Sequence, residues 1–215
     1  MPSDEITVID YGVGNLLSVQ RALERCGARV LVSSDPETIL KSPKVVFPGV
    51  GAFPSAMKKL EELSLVSVIQ EIAKLGKPLL AICLGMQLLF DESEEFGNTK
   101  GLGIIPGKVV SMRDATTHSQ LSKFPHIGWS PLQFVDASDS WSNTLLDGIK
   151  EGDSTYFVHS FMAMPEFEEH RISDVNYSGL RIPAVVSKGK ITGCQFHPEK
   201  SGEVGLQIIR NFTKA

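Results

Sequence analysis

Pro78-Leu-Leu-Ala-Ile-Cys83-Leu-Gly-Met-Gln87 is the stretch on which the reading of this chain turns. Pro78 to Ile82 is short and wholly apolar, as expected of a strand buried on both faces of a parallel sheet. It runs straight into Cys83, and Leu84 to Phe90 then reads as a helix. A small residue, any residue, a nucleophile, any residue and a glycine make up the elbow known with serine in hydrolases. The turn is so tight that the positions two before and two after the nucleophile must be small. Ala81 and Gly85 meet that need. Cys83 is then expected to stand at the C-terminal edge of the sheet, its thiolate favoured by the positive end of the following helix. The plainer reading of such a cysteine is a buried core residue at a strand end.

Outward from the elbow, strand-like and helix-like runs alternate. Ile6 to Ile9 is β-rich and ends in a glycine turn. Leu16, Val19, Leu23 and Cys26 then recur at helical spacing, with Gly27 placed to cap the helix. Ala28 to Val32 and Lys44 to Phe47 read as further strands, and Phe53 to Leu75 as two amphipathic helices. This alternation predicts an α/β fold, a central and mostly parallel sheet flanked by helices. In the C-terminal half the pattern changes to antiparallel strands over Val109 to Met112, Ile127 to Val135, Thr155 to Phe161, Ala184 to Ser187 and Ile191 to Phe196. Lys188-Gly189-Lys190 is the expected turn between the last two. A final helix is expected from about Gly202 to Phe212. Nothing in the composition cuts the chain, so residues 1–215 are expected to form a single domain. Asp114 to Lys123 is polar and aperiodic, the best candidate for a mobile loop.

A cysteine nucleophile needs a base, and the base needs a third group to fix its tautomer. His197 stands at the end of a predicted strand in Gly193-Cys-Gln-Phe-His197-Pro-Glu199-Lys200. An extended backbone would project residues 197 and 199 to one side, giving a His–carboxylate pair. Alone, this triplet also reads as a surface loop before the last helix. Pro48-Gly-Val-Gly51 follows another apolar strand. Its glycines allow close backbone approach and positive φ, so its N–H groups, with that of Leu84, are candidates for an oxyanion hole. A plain glycine turn is the simpler alternative.

The bulk numbers exclude several classes. With 42% hydrophobic and 21% charged residues the chain is globular in composition, and its net charge of −4 with scattered Lys and Arg argues against nucleic acid. The start, MPSDEITVID, lacks a basic, apolar leader, and the longest apolar run is too short to span a bilayer. Cys26, Cys83 and Cys194 show no C-x-x-C spacing, so no zinc or redox motif is expected, and a reducing cytoplasmic setting fits best; a thiol-based mechanism would need no metal or organic cofactor.

Cys83-Leu-Gly-Met-Gln87 together with His197-Pro-Glu199 resembles the class I, or triad, glutamine amidotransferases. Asp10-Tyr-Gly-Val-Gly-Asn-Leu16, Pro48-Gly-Val-Gly-Ala-Phe53, Pro125-His-Ile-Gly-Trp129, Tyr156-Phe-Val-His-Ser160 and His197-Pro-Glu-Lys-Ser201 narrow the resemblance to the glutaminase subunit of imidazole glycerol phosphate synthase, a histidine-biosynthesis enzyme. It extends over nearly the whole chain. The resemblance implies a Cys83–His197–Glu199 triad and oxyanion donors at Gly51 and Leu84, with a Gly49–Val50 peptide that flips to complete the hole. It also implies a glutamine pocket of Gln87, Glu95, Ser160 and Phe161. Asn15, His126, Trp129 and Lys200 would face a (β/α)8-barrel cyclase partner that receives the ammonia. Phe161 stands where relatives often carry Tyr, so a hydroxyl contact does not transfer, and the Asp114 to Lys123 stretch is longer than usual. His159 reads as structural, in a buried strand. The rival readings are a triad glutaminase serving an aromatic or pyridoxal phosphate synthase, a non-catalytic scaffold subunit, and a cysteine hydrolase acting on peptides.

Overall fold

The computed structural model describes residues 5–115, 124–136 and 140–214. In chain order the elements are β1 (Glu5–Ile9), α1 (Leu16–Arg25), β2 (Arg29–Ser33), α2 (Pro36–Lys41), β3 (Lys44–Gly49), α3 (Phe53–Glu62), α4 (Leu65–Lys74), β4 (Leu79–Cys83) and α5 (Leu84–Leu88). Then follow β5 (Glu92–Ser93), β6 (Thr99–Lys100), β7 (Gly107–Ser111), β8 (His126–Gln133), β9 (Ser154–His159), β10 (Phe161–Pro165), β11 (Arg171–Tyr177), β12 (Leu180–Lys188), β13 (Ile191–Cys194) and α6 (Gly202–Lys214). Glu168–His170 and Pro198–Lys200 are 3-10 turns.

The larger sheet runs β2-β1-β3-β4-β13-β12-β11-β8-β9. Pairing is parallel from β2 to β13 and antiparallel beyond it. This is the expected α/β architecture, with its antiparallel strands in the C-terminal half. A second sheet, β10-β7-β5-β6, stands apart.

The side-chain period of two divides each central strand between two cores. Phe47 and Ala81 pack with Met57, Leu60, Ile69 and Ile72 of α3 and α4 on one face. Val46 and Ile82 pack with Val19 and Leu23 of α1 and Ile208 and Phe212 of α6 on the other. A strand covered on both faces has no polar side to alternate with, which is why 79–82 is apolar throughout.

Three expectations need correcting. The helix after the nucleophile stops at Leu88, not Phe90. There the Leu88, Leu89 and Phe90 carbonyls accept hydrogen bonds from the N–H groups of residues 102–105, an external ladder that replaces the helical one. The strand expected over Thr155 to Phe161 is two strands broken at Ser160. β9 pairs with β8 in the large sheet and β10 with β7 in the small one. The backbone is extended at His197 but enters a 3-10 turn at Pro198, so residues 197 to 199 do not form one extended run. α2 and β11, which carry no strong period, and the short β5 and β6 are elements beyond those expected. Of the expected loop Asp114 to Lys123, residues 116–123 lie outside the described part, and Asp114 and Ala115 form a turn.

Candidate active site

β3 and β4 end side by side, with Gly49 opposite Cys83 as the last pair of their ladder. Cys83 then turns into α5 with φ 55° and ψ −111°, left-handed backbone that an L residue adopts only under constraint. The constraint is visible at Gly85. A Cβ there would lie 2.0 Å from the Phe47 carbonyl oxygen, so only glycine lets α5 start this close to β3. The elbow expected from the sequence is therefore formed, and it leaves Cys83 6% exposed at the C-terminal edge of the sheet.

β13, parallel to β4, delivers His197 to the same edge. His197 donates its backbone N–H to the Tyr156 carbonyl, and Ser201 Oγ bridges the His197 carbonyl and the Tyr156 N–H. The 3-10 turn is thus pinned to β9. Within it, His197 Nδ1 lies 2.7 Å from Glu199 Oε1. The pairing anticipated from the sequence exists, although a turn produces it rather than an extended strand. The Glu199 side chain is 1% exposed, and Oε2 has no hydrogen-bond partner among the described residues.

His197 Nε2 is likewise buried without a formed hydrogen bond. Burial disfavours the imidazolium, but the Cys83 sulfur and the Glu199 carboxylate together outweigh it and carry the His197 pKa up to about 10. Glu199 can only accept, so Nδ1 is the donor in their bond and Nε2 is the position free to exchange a proton.

A cavity of about 340 Å³ opens onto these groups. Cys83, Leu84, Gln87, Glu95, Ser160, Phe161, Val50, Gly51, His197 and Lys200 all line it, every one a residue singled out from the sequence. Gly51 sits at φ 101°, in glycine's region, and Val50 is 39% exposed. Glu95 Oε2 accepts the Phe53 N–H at 2.7 Å. Its pKa is raised by burial, with that hydrogen bond opposing. Val158 and His159 also line the cavity and were not foreseen there. A larger cavity of about 580 Å³, between Pro78, Lys190 and Asn211, lies at the other end of the parallel strands and gathers no nucleophile and base. Among the described residues no group of three or more His, Cys, Asp or Glu is placed to hold a metal, and no helix is long and apolar enough to cross a membrane.

The expected partner-facing residues divide. Trp129 is 57% exposed, leans edge-on against Tyr156, and reaches toward Gly202 beside the Pro198–Lys200 turn. Asn15 stands at the N-cap position of α1, without a side-chain capping bond, and α1 packs against that turn, on which Lys200 is exposed. His126 is different. It is 1% exposed, stacked on Phe157 and Tyr177, with Nδ1 2.9 Å from His159 Nε2 and Nε2 2.9 Å from Ser130 Oγ. The reason is strand parity. Ile127 and Trp129 point to solvent, so His126 and Ser130 point inward, and the His126 side chain is not presented at the surface as expected.

A sequence model of the family "glutamine amidotransferase class-I" matches residues 7–215. The chain belongs to this family. Among curated relatives, imidazole glycerol phosphate synthase subunit HisH 1 of Legionella pneumophila (strain Lens) is 49% identical over 207 residues, covering 96% of this chain and 97% of the relative. The HisH subunit of Bacillus cereus (strain G9842) is 45% identical over 207 residues, 96% of this chain and 93% of its own length. At that identity and coverage the family includes the HisH subunits. Solved structures agree in fold. A glutamine amidotransferase crystal structure superposes with TM-score 0.70 at 16% identity, over 97% of this chain and 99% of that one. One from Thermotoga maritima gives 0.62 at 16%, over 95% and 80%. The Cys83 elbow and the His197–Glu199 pair therefore stand in a class-I glutamine amidotransferase.

Proposed function

We propose that the chain is the glutamine-hydrolysing subunit of imidazole glycerol phosphate synthase, with Cys83, His197 and Glu199 as its triad. The observation that carries this is one juxtaposition. A strained cysteine elbow and a buried His–carboxylate pair at 2.7 Å open onto a single cavity whose rim carries the Val50, Gly51 and Leu84 backbone.

The Cys83 thiolate attacks the side-chain carboxamide carbon of glutamine. The Leu84 and Gly51 N–H groups take the oxyanion, with Val50 joining once the Gly49–Val50 peptide turns. His197 gives its Nε2 proton to the leaving ammonia, and a γ-glutamyl thioester remains. His197 then takes a proton from water, which attacks the thioester and releases glutamate and the thiolate. Glu199 holds the ring and its charge throughout. Gln87, Glu95, Ser160 and Phe161 contact the substrate. No step calls on a metal or organic cofactor.

Ammonia freed at neutral pH mostly protonates and stops being a nucleophile, so a docked acceptor subunit follows. The curated relatives are named as subunits of a synthase. The partner proposed here is a (β/α)8-barrel cyclase in the cytoplasm, seated on the face that carries Asn15, Trp129 and Lys200. Such a barrel typically needs ~250 residues of its own. The test is steady-state glutaminase kinetics for the chain alone, with the barrel, and with barrel plus acceptor nucleotide. A poor basal rate that rises roughly a hundred- to thousand-fold with both is expected, a shift of a few kcal/mol in the barrier. Equal turnover in all three mixtures contradicts partner control.

A further inference from the structure

The Cys83 sulfur has two neighbours besides the base. The Val158 carbonyl lies 4.0 Å away and can only accept, so it favours the protonated thiol. Gln195 Nε2 lies 3.8 Å away, in donor position toward the same sulfur. Amide nitrogen and oxygen look alike in shape, so the network must say which end faces Cys83. It does so without ambiguity. The Phe161 carbonyl can only accept, so the Gln87 atom 3.0 Å from it is Nε2. That same Nε2 donates its second hydrogen to Gln195 at 2.9 Å, so the Gln195 atom facing Gln87 is Oε1. The opposite end, turned to the sulfur, must be the NH2.

The network is also rigid. Gln195 is fully buried and its backbone N–H is bonded to the Ala184 carbonyl. The Phe161 carbonyl that orients Gln87 is itself held by His159 Nδ1 at 2.9 Å. His159 Nδ1 must therefore be the donor, which leaves Nε2 to accept from His126 Nδ1, whose Nε2 accepts from Ser130. Each member has one consistent role, so the Gln195 amide cannot flip without stranding a buried donor against a donor.

We propose that Gln195 is a further catalytic residue, whose side-chain N–H donates to the Cys83 sulfur and stabilises it as the thiolate that attacks glutamine. The assignment rests on Cys83 being the nucleophile and deepens that reading. It gives the residue preceding Phe196 and His197 a chemical task, and it explains why a polar side chain occupies a fully buried position just past the C-terminal end of β13. The groups that meet the thiolate charge are then Gln195 and His197, with Glu199 behind the imidazole. Cys194 and Tyr11 also feel that charge, each as a buried neutral group.

Two substitutions separate a donor from a spacer. Gln195→Met keeps the volume and removes the N–H. Gln195→Glu keeps the shape and still accepts from Gln87, but turns an oxygen toward the sulfur. The measurement is the rate of Cys83 carboxamidomethylation at pH 7 on the full chain, with the modified residue mapped by mass and folding checked by thermal melt. A charge-assisted hydrogen bond to a thiolate corresponds to about a ten- to hundredfold rate. Slowing of that order in Gln195→Met and at least as much in Gln195→Glu supports the assignment. An unchanged rate in folded Gln195→Met or Gln195→Glu overturns it. A carboxylate at 195 would also slow alkylation by repulsion, so if Gln195→Met does not fold, the uncharged Gln195→Leu takes its place. Alkylation needs no turnover, so glutamine hydrolysis with unaltered alkylation rejects only Gln195, whereas slowed alkylation in a chain that never hydrolyses glutamine rejects only the proposed function.

Discussion

Three thiols in one chain meet three environments, and only one suits a nucleophile. Cys194 is fully buried, its Sγ 3.7 Å from the Ala81 carbonyl, and burial first, then the Glu199 and Cys83 charges, push its pKa well above the ordinary value. Cys26 sits partly buried at the end of α1 with Sγ 3.5 Å from the Leu206 carbonyl, and burial raises it as well, with Arg210 and Arg25 opposing. Cys83 alone lines the cavity with a base beside it. Brief treatment with a glutamine-like electrophile, followed by mass mapping, should label Cys83 first. Labelling of Cys194 at an equal rate would contradict the assignment. The Cys83 elbow and the His197–Glu199 pair were legible because each lies in a short motif whose spacing is itself mechanical. His126 was not, because its neighbours in sequence are exposed and only the strand's parity, visible once register is known, turns it inward. Gln195 carries no such signal, for its proposed role depends on Gln87, more than a hundred residues away, and no local pattern announces that contact.

At the scale of elements, the end of β3 is the part most open to change. The β3–β4 ladder closes at Gly49 and Cys83, so the Gly49–Val50 peptide is the first one free of the sheet. Gly51 occupies glycine-only backbone beside it. Two peptide orientations, one offering a carbonyl and the other an N–H, would make this a two-state element that a partner can bias. Val50→Pro removes the N–H and should blunt partner stimulation of turnover while leaving the melting temperature near that of the parent. Normal stimulation in that variant would leave the oxyanion hole to Gly51 and Leu84. The central parallel strands were readable because burial on both faces makes them continuously apolar. The break at Ser160 was not, since β9 and β10 read as one run and part only because each finds a different distant partner. The 3-10 turn at Pro198 escaped notice too, for a proline fixes its own φ but not the direction the chain takes next.

For the whole molecule, the histidines tie stability to pH in opposite senses. His126 is held neutral by burial, its pKa lowered to about 4. His159 is lowered to about 3 by burial, with the Phe161 carbonyl opposing and the His126 and His197 charges adding to the fall. Unfolding returns both to the ordinary value of 6.5, so below that pH the unfolded chain binds more protons and stability falls, levelling only as the folded values are passed. His197 acts the other way. Its folded pKa near 10 adds stability that is complete below 6.5 and is lost as pH rises through 10. Urea unfolding from pH 6.5 to 5 should therefore show a steep acid-side decline. His126→Gln should flatten it by up to about 1.4 kcal/mol per pH unit, one proton's share. An unchanged slope would mean that His126 is not buried as a neutral group.

The division of labour between this chain and its acceptor subunit is tested most directly by Cys83→Ala in the assembled synthase, assayed once with glutamine and once with ammonia. With Cys83 as the proposed nucleophile and no part in the acceptor chemistry, glutamine-dependent synthesis should disappear while ammonia-dependent synthesis persists at the parental rate. Synthesis from glutamine that survives the substitution, or ammonia-dependent synthesis that dies with it, would contradict the account.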